Sequence, residues 1–428
     1  MHQSPVVVYW FRRDLRLSDN PALSAASQSP FPTLPLFIFD REILDPLERD
    51  DARVSFIHES LQQINLDLQQ HQASLLVKNG EPLQVWKELV LEFNIQGVYL
   101  NRDYEPYALN RDSAIGEFLK QHGIPVYSFQ DQVIFEPNEI LKADGKPYTI
   151  YTPYKKKWLE RFDTSRLNAF PVNKKGFLTT NFPFPAIQLI GFQESKIKVK
   201  PIQWNQLHQY GEWRDFPAKA VGSNLGPHLR FGTISTREAV QRATETNEVF
   251  LSELIWREFF MQILFHFPSV IDHSFHAKYD RIAWRNNPEE FERWCEGKTG
   301  FPMVDAGMRE LKATGTMHNR VRMVTASFLT KHLLIDWRLG EAWFAKHLLD
   351  YELASNNGNW QWAAGTGCDA APYFRIFNPI EQFKKFDPQA MYVRKWVPEW
   401  DRFDYVPPIV DHKMARERAL KTYKEGIM

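Results

Sequence analysis

Over the first 135 residues, short and continuously apolar runs alternate with amphipathic stretches, and this restricts the fold more than any other feature of the chain. VVVYWF (6–11), LPLFIF (34–39), SLLVK (74–78), GVYL (97–100) and PVYSF (125–129) read as strands. VSFIHESLQQINLDLQQH and LQVWKELVLEF read as helices between them. Strands apolar on both faces and separated by helices predict a parallel sheet covered on each side, a doubly wound α/β domain over residues 1–130. No GxGxxG follows the first strand, so a conventional dinucleotide site is not expected there.

From 131 to 200 the chain is irregular and rich in Pro, Lys and Phe (NFPFPAIQLIGF), which predicts a long interdomain linker. Beyond 205 the pattern is helical, clearest in SELIWREFFMQILFHF and NRVRMVTASFLTKHLLIDW, so an all-α domain is expected over 201–428. A length of 428 residues suits two domains. Net charge is zero, so an anionic partner would have to meet a local patch. The two cysteines, Cys295 and Cys368, have neither metal-ligand spacing nor a disulfide pattern, and no metal site is expected. MHQSPVVVYWFRRDLR places charges directly after a short apolar run, which reads as a buried strand and not a signal peptide. No stretch approaches a membrane span. A soluble, cytoplasmic monomer is the expectation.

Three runs carry the chemistry: FLSELIWREFF (250–260), MHNRVRM (317–323) and DYELASNNGNWQW (350–362). Each interleaves charged or amide side chains with Trp, Phe or Met. Such a mixture suits a cavity for a flat, polar-edged aromatic molecule, whose faces need ring walls and whose edges need hydrogen-bond partners. Glu253, Trp256 and Arg257 fall close together on one helix; the plain alternative is a surface Glu–Arg pair. Asn319, Arg320 and Met323 are spaced to share a face, with Arg322 elsewhere. Asn356, Asn357 and Asn359 around Gly358 disfavour a helix, and a capping turn with two packed tryptophans, Trp360 and Trp362, is the plain alternative there. In GEWRDFPAKAVGSNLGPHLRFGTIS (211–235), Arg214 precedes a loop whose glycines would let backbone N–H groups close on an anion; an ordinary turn explains it equally. Lys155–Lys157 beside Trp158, and Arg394 with Lys395 in MYVRKW, suit a nucleic-acid rim or a solvated face.

Taken in order, YWFRRDLRLSDNPAL, TPYKKKW, ELIWREF, EGKTGFPMVDAGMREL, MHNRVRM, SNNGNWQWAAGTG, YFRIFNP and PIVDHKMARERAL resemble the photolyase/cryptochrome family across nearly the whole chain. The resemblance runs closest to class I cyclobutane pyrimidine dimer photolyases. It implies an antenna domain, a helical domain holding FAD, and repair of ultraviolet-made dimers in DNA by light-driven electron transfer from reduced FAD. Tyr210, Arg214, Ser223, Asn224 and Leu225 would then hold the FAD phosphates. Arg257 and Asn319 would line the FAD cavity, Arg322 and Asp350 would pair beside the isoalloxazine, Glu352 would lie near the flavin edge, and Asn356 would face N5. Glu253, Trp256, Asn319, Arg320, Met323 and Trp362 match dimer-binding positions, with Lys155 and Arg394 on the DNA rim. Trp360, Trp337 and Trp294 match an electron-transfer chain from the surface to the flavin.

The chain departs from the family pattern at several places. A Thr-Ser-x-Leu-Ser phosphate loop reads Gly222-Ser223-Asn224-Leu225-Gly226, without two hydroxyl donors. Phe250 stands where Trp is frequent, and Glu352 where Asp is common. Tyr107 and Ala108 replace a folate-contacting Asn-Glu pair, so the identity of any second antenna chromophore stays open. A cryptochrome-type photoreceptor, a DASH or (6-4) photolyase, and a flavin-free scaffold are the alternatives.

Overall fold

The structure, a computed structural model, describes residues 2–219 and 221–428, with His2 and Gln3 described by backbone alone. The chain divides into two compact units. The first comprises residues 1–136, 161–201 and 225–245; the second comprises 137–160, 202–224 and 246–428.

In the first unit, five strands, β1 (His2–Phe11), β2 (Thr33–Asp40), β3 (Leu76–Gly80), β4 (Phe93–Asn101) and β5 (Val126–Phe129), form a wholly parallel sheet in the order β3-β2-β1-β4-β5. The helices here are α1 (Pro21–Ser27), α2 (Arg41–Leu44), α3 (Ala52–Gln69), α4 (Pro82–Glu92), α5 (Pro106–Gln121), α8 (Leu225–Phe231) and most of α9 (Thr236–Thr246). Alternate side chains of β1 enter two separate cores. Val7, Tyr9 and Phe11 pack with α1 and with Val54, Leu61, Ile64 and Leu68 of α3. Val6, Val8 and Trp10 pack with Trp86 and Leu89 of α4 and with Ile115 and Leu119 of α5. Burial on both faces is why the central strands β1 and β2 are continuously apolar, and the doubly wound expectation is met.

The later segment 225–245 is fastened into the same unit. The Leu15 N–H donates to the Phe231 carbonyl (3.0 Å). Gly232 has φ +66°, and a Cβ there would lie 2.1 Å from the Arg13 carbonyl oxygen, so no side chain fits. Arg16 and Arg237 share buried Asp131, at 2.5 and 2.8 Å.

The second unit is helical, with no strand among its described residues. Its helices are α6 (Tyr151–Arg161), α7 (Tyr210–Trp213), α10 (Glu248–His266), α11 (Pro288–Cys295), α12 (Pro302–Thr314), α13 (Asn319–Ser327), α14 (Trp337–His347), α15 (Leu353–Ala364), α16 (Pro379–Phe386), α17 (Met391–Trp396) and α18 (His412–Ile427). A π turn, Phe328–His332, continues α13. Among the described residues no helix is long and apolar enough to cross a membrane.

Two expectations need correction. Residues 131–200 are not one irregular linker: Tyr151–Arg161 is a helix whose Tyr151, Tyr154 and Trp158 are buried, so its lysines mask an apolar face. The segment 161–201 belongs to the sheet unit by its contacts. SNNGNWQW is also helical, inside α15. A Cβ on Gly358 would fall 2.1 Å from Cδ1 of Phe260, so the glycine admits a ring of α10 and does not end the helix. Close packing outweighs the roughly 1 kcal/mol helix cost of glycine.

Candidate active site

Arg214 follows α7 and pairs with Glu253 of α10, while its guanidinium lies 5.5 Å from the Tyr210 ring. Asp215, the next residue, accepts from Arg320 of α13 at 2.7 Å. Loop 221–224 therefore follows a charged cluster. Ser223 is buried and its carbonyl accepts from the Gln203 N–H (2.8 Å). Asn224 takes the left-handed conformation (φ +55°), which asparagine tolerates better than most residues. Leu225 opens α8.

The three residues expected together on α10 face different partners. The plain Glu253–Arg257 pair does not form. Arg257 instead bonds Glu352 at 2.9 Å, and the Ser355 hydroxyl donates to the other Glu352 oxygen (3.0 Å). Glu352 is buried and so serves Arg257 and Ser355 in this structure. Burial lifts the Glu253 carboxyl above its ordinary range, although Arg214 and Lys155 pull it down. Lys155 of α6 is thereby placed near the site. Trp256 is half-buried and stacks on Tyr151 of α6, with centroids 3.6 Å apart at 9°. Phe260 lies 5.4 Å away on the same stack.

α13 is capped by His318, whose Nδ1 accepts the Arg320 N–H (3.2 Å). Burial pushes His318 down to about 4, so the imidazole is neutral among Arg214, Arg320 and Arg322. Asn319 is exposed and touches the Met323 sulfur at 4.0 Å, as expected for a shared face. Arg322 points away from them and bonds Asp350 at 2.9 and 3.2 Å, the expected pair.

On α15, the Asn356 Nδ2 donates to both the Oε1 (2.7 Å) and the carbonyl (3.1 Å) of Glu341. With both N–H groups committed, the amide has its oxygen left to offer. Trp362 is half-buried against the helical core. Trp360 is buried and sits over Gly340, where a Cβ would fall 2.2 Å from its ring.

Trp294 lies edge-on to Trp360 (6.2 Å), and its Nε1 donates to the Thr325 carbonyl (3.2 Å). Trp337 is 1% exposed and Trp294 0% exposed, so Trp294 cannot be the surface end of the expected chain. It occupies the buried stripe of an amphipathic helix. Trp284, in the preceding loop, is half-buried, packs on the same core and meets Tyr423 edge-on at 5.8 Å. Arg394 is exposed and pairs with Asp401 at 3.3 Å, apart from these clusters. Sequence reasoning passed over Tyr151, Asp215, Trp284 and Glu341. The signal for Asp215 was its place directly after Arg214. For the other three, no local pattern marks the partner.

Tyr107 donates its hydroxyl to Asp40 at the end of β2 (2.6 Å), and Arg111 lies over both the Tyr107 and Trp10 rings (5.6 and 5.0 Å). This is an ion-pair cluster and not an amide–carboxylate pair.

Half-buried guanidiniums beside a buried serine, a left-handed asparagine and an acceptor amide together suit a ligand with phosphates at one end and a polar-edged ring system at the other. Arg320 Nε is buried without a hydrogen-bond partner, a donor that a ligand could satisfy. Comparison with known proteins points the same way. The profile described as the FAD binding domain of DNA photolyase matches residues 250–404, and the DNA photolyase profile matches residues 7–174. A deoxyribodipyrimidine photo-lyase from Agrobacterium fabrum is 38% identical over 98% of both chains. The chain belongs to the photolyase family. Another relative, the deoxyribodipyrimidine photo-lyase of Escherichia coli, is 36% identical over 97% of this chain and 98% of that one. A bacterial class III photolyase from Agrobacterium tumefaciens superposes with a TM-score of 0.86 at 35% identity, covering 100% and 98% of the two chains. An archaeal photolyase from Sulfolobus tokodaii, solved with two FAD molecules, gives 0.83 at 32% over 98% and 99%. Within this photolyase-type chain, the FAD-binding match spans α10 to α17, the helices that carry Glu253, Arg257, Asn319, Arg322 and Asn356.

Proposed function

We propose that this chain repairs cyclobutane pyrimidine dimers in DNA as a light-driven lyase. The observation that carries the reading is Trp256, half-buried and backed by Tyr151, one helical turn from the Glu253 carboxyl, which burial raises above its ordinary range. A flipped-out dimer offers two ring faces and a rim of carbonyl and N–H groups. Trp256 and Trp362 supply ring walls, and Glu253 supplies a hydrogen-bonding edge that also stabilises negative charge developing on the pyrimidine. The Arg214–Glu253 pair is only partly buried, so either partner can turn to a ligand. Arg320, Met323 and Asn319 line the neighbouring helix face, and Lys155 meets phosphate.

Arg214, Ser223, Asn224 and the backbone at Leu225 would hold the FAD phosphates, with Tyr210 alongside. Arg257, Arg322 with Asp350, Glu352 and Asn356 would hold the ring system. When bound and reduced, FAD supplies the electron that splits the two cyclobutane C–C bonds and receives it back, so no net redox change occurs. The Asn356 oxygen, left over by Glu341, would be available to accept an N–H from the reduced ring. Trp360, Trp337 and Trp294 are the inner members of a tryptophan route for photoactivation, and Trp284 is its outer end.

The test is photorepair. Prereduced protein is mixed with an oligonucleotide bearing one thymine dimer, illuminated with blue light, and scored for intact thymines against a dark control. Light-dependent recovery supports the reading. No recovery with FAD bound and reduced rejects it in favour of a photoreceptor.

A further inference from the structure

Lys331 is a buried amine that the repair chemistry does not use. It lies in the π turn after α13 and is 1% exposed. Its Nζ donates to the Ala364 carbonyl at 2.7 Å and to the Tyr373 carbonyl at 3.4 Å, and sits 3.6 Å from the centroid of the Tyr423 ring. The Tyr423 hydroxyl, on α18, donates to the same Ala364 carbonyl (2.9 Å). Ala364 and Tyr373 flank the first part of the loop between α15 and α16. Burial alone pushes the amine far below its ordinary range, and no neighbouring carboxylate offsets it.

The middle of that loop reaches the lesion wall. Asp369 Oδ2 accepts the N–H of Tyr151, the first residue of α6, at 2.9 Å. The Tyr151 hydroxyl is also tied to Ser252 of α10, at 2.7 Å to both its carbonyl and its hydroxyl. The Tyr151 ring is the surface on which Trp256 stacks. A continuous physical connection therefore runs from the amine through the loop carboxylate to the ring behind Trp256.

We propose that Lys331 and Asp369 are positioning residues for Trp256, holding the loop 364–373 so that its carboxylate fixes Tyr151 behind the lesion-facing ring. The proposal rests on the lesion-binding reading of Trp256. Neither residue touches the substrate in this scheme. Each acts through Tyr151.

Asp369→Ala removes the acceptor, whereas Asp369→Asn retains an oxygen in its place. In equilibrium binding of flavin-loaded protein to a dimer-bearing duplex, Asp369→Ala is expected to weaken affinity by about tenfold, with undamaged-duplex affinity and FAD content unchanged. Asp369→Asn stays within about twofold of the parent. Lys331→Met behaves like Asp369→Ala; should it fail to fold, the Asp369 pair carries the test alone. In a Trp256→Ala background, Asp369→Ala has no further effect, because the ring it positions is gone. Hydrogen exchange over 148–160 provides a readout independent of the lesion, and it quickens in Asp369→Ala and not in Asp369→Asn. Unchanged exchange, or an affinity loss that persists in full without Trp256, overturns the proposal. If parent and Trp256→Ala bind the lesion alike, the lesion assignment fails and the positioning role with it. Faster exchange would then leave only the loop-to-α6 linkage standing.

Discussion

At Glu341 a half-buried carboxyl has an amide as its partner. Burial lifts its pKa above 4.5, opposed in part by Asn356. The folded state therefore holds this proton more tightly than the unfolded chain. That stabilisation is complete below 4.5 and is lost as pH rises through the raised value. Glu341→Gln removes the penalty of ionisation and is predicted to stabilise the protein at pH 8, with the gain vanishing near pH 4. Urea unfolding at the two pH values checks this, and a loss of stability at pH 8 contradicts it. Among the tryptophans, Trp360→Phe is predicted to slow flavin photoreduction by at least about tenfold. Trp284→Phe should slow it while sparing repair by chemically reduced protein. Flavin absorbance under blue light with a reductant measures both. An unchanged rate in Trp284→Phe returns the outer end of the route to another residue.

Packing of α15 on α10 turns on one atom. Gly358→Ala would place a methyl 2.1 Å from Phe260 Cδ1, and Phe260 belongs to the Trp256 stack. A cost of about 1–3 kcal/mol is predicted, even though alanine is the better helix former. A stabilised variant in denaturant titration would show that the ring moves freely. α18 is held at its start by His412, whose Nδ1 lies 2.8 Å from Nε2 of His332 in the π turn. Arg418 of the same helix donates to the His332 carbonyl (2.6 Å). Burial, aided by His412 and Arg418, holds His332 down to about 3, so the unfolded chain takes up a proton first as pH falls below 6.5. Stability contributed by the neutral ring declines across that window, by about 1.4 kcal/mol per pH unit. His332→Gln is predicted to flatten the acid limb of the stability profile. The elements were legible in the sequence to the extent that burial wrote a pattern. All five strands overlap the continuous apolar runs, and the central ones do so because both their faces are covered. α6 and α15 escaped notice, since lysines hide the one and asparagines the other, and each owes its helix to tertiary contacts. At the site, residue types were readable, whereas partners such as Glu341 for Asn356 depend on helices far apart in sequence.

With no net charge, the molecule has no general field to draw it to DNA. Attraction must come from local cations such as exposed Lys156 on α6. Lys156→Ala is predicted to reduce the slope of log affinity against log salt by about 0.9 for any duplex, damaged or not. Filter binding across a salt series checks this, and an unchanged slope would remove Lys156 from the phosphate rim. The chain passes between its two units five times, and the first is completed only by residues 225–245. A growing polypeptide therefore presents its whole sheet well before Arg237 arrives to share Asp131 and before Gly232 reaches Arg13. At ordinary synthesis rates that wait is on the order of ten seconds. During it the ribosome carries an unfinished sheet with Asp131 short of one arginine. Nascent chains stalled before residue 225 should consequently be far more open to protease, and to chaperones, than chains stalled once 245 has cleared the exit tunnel.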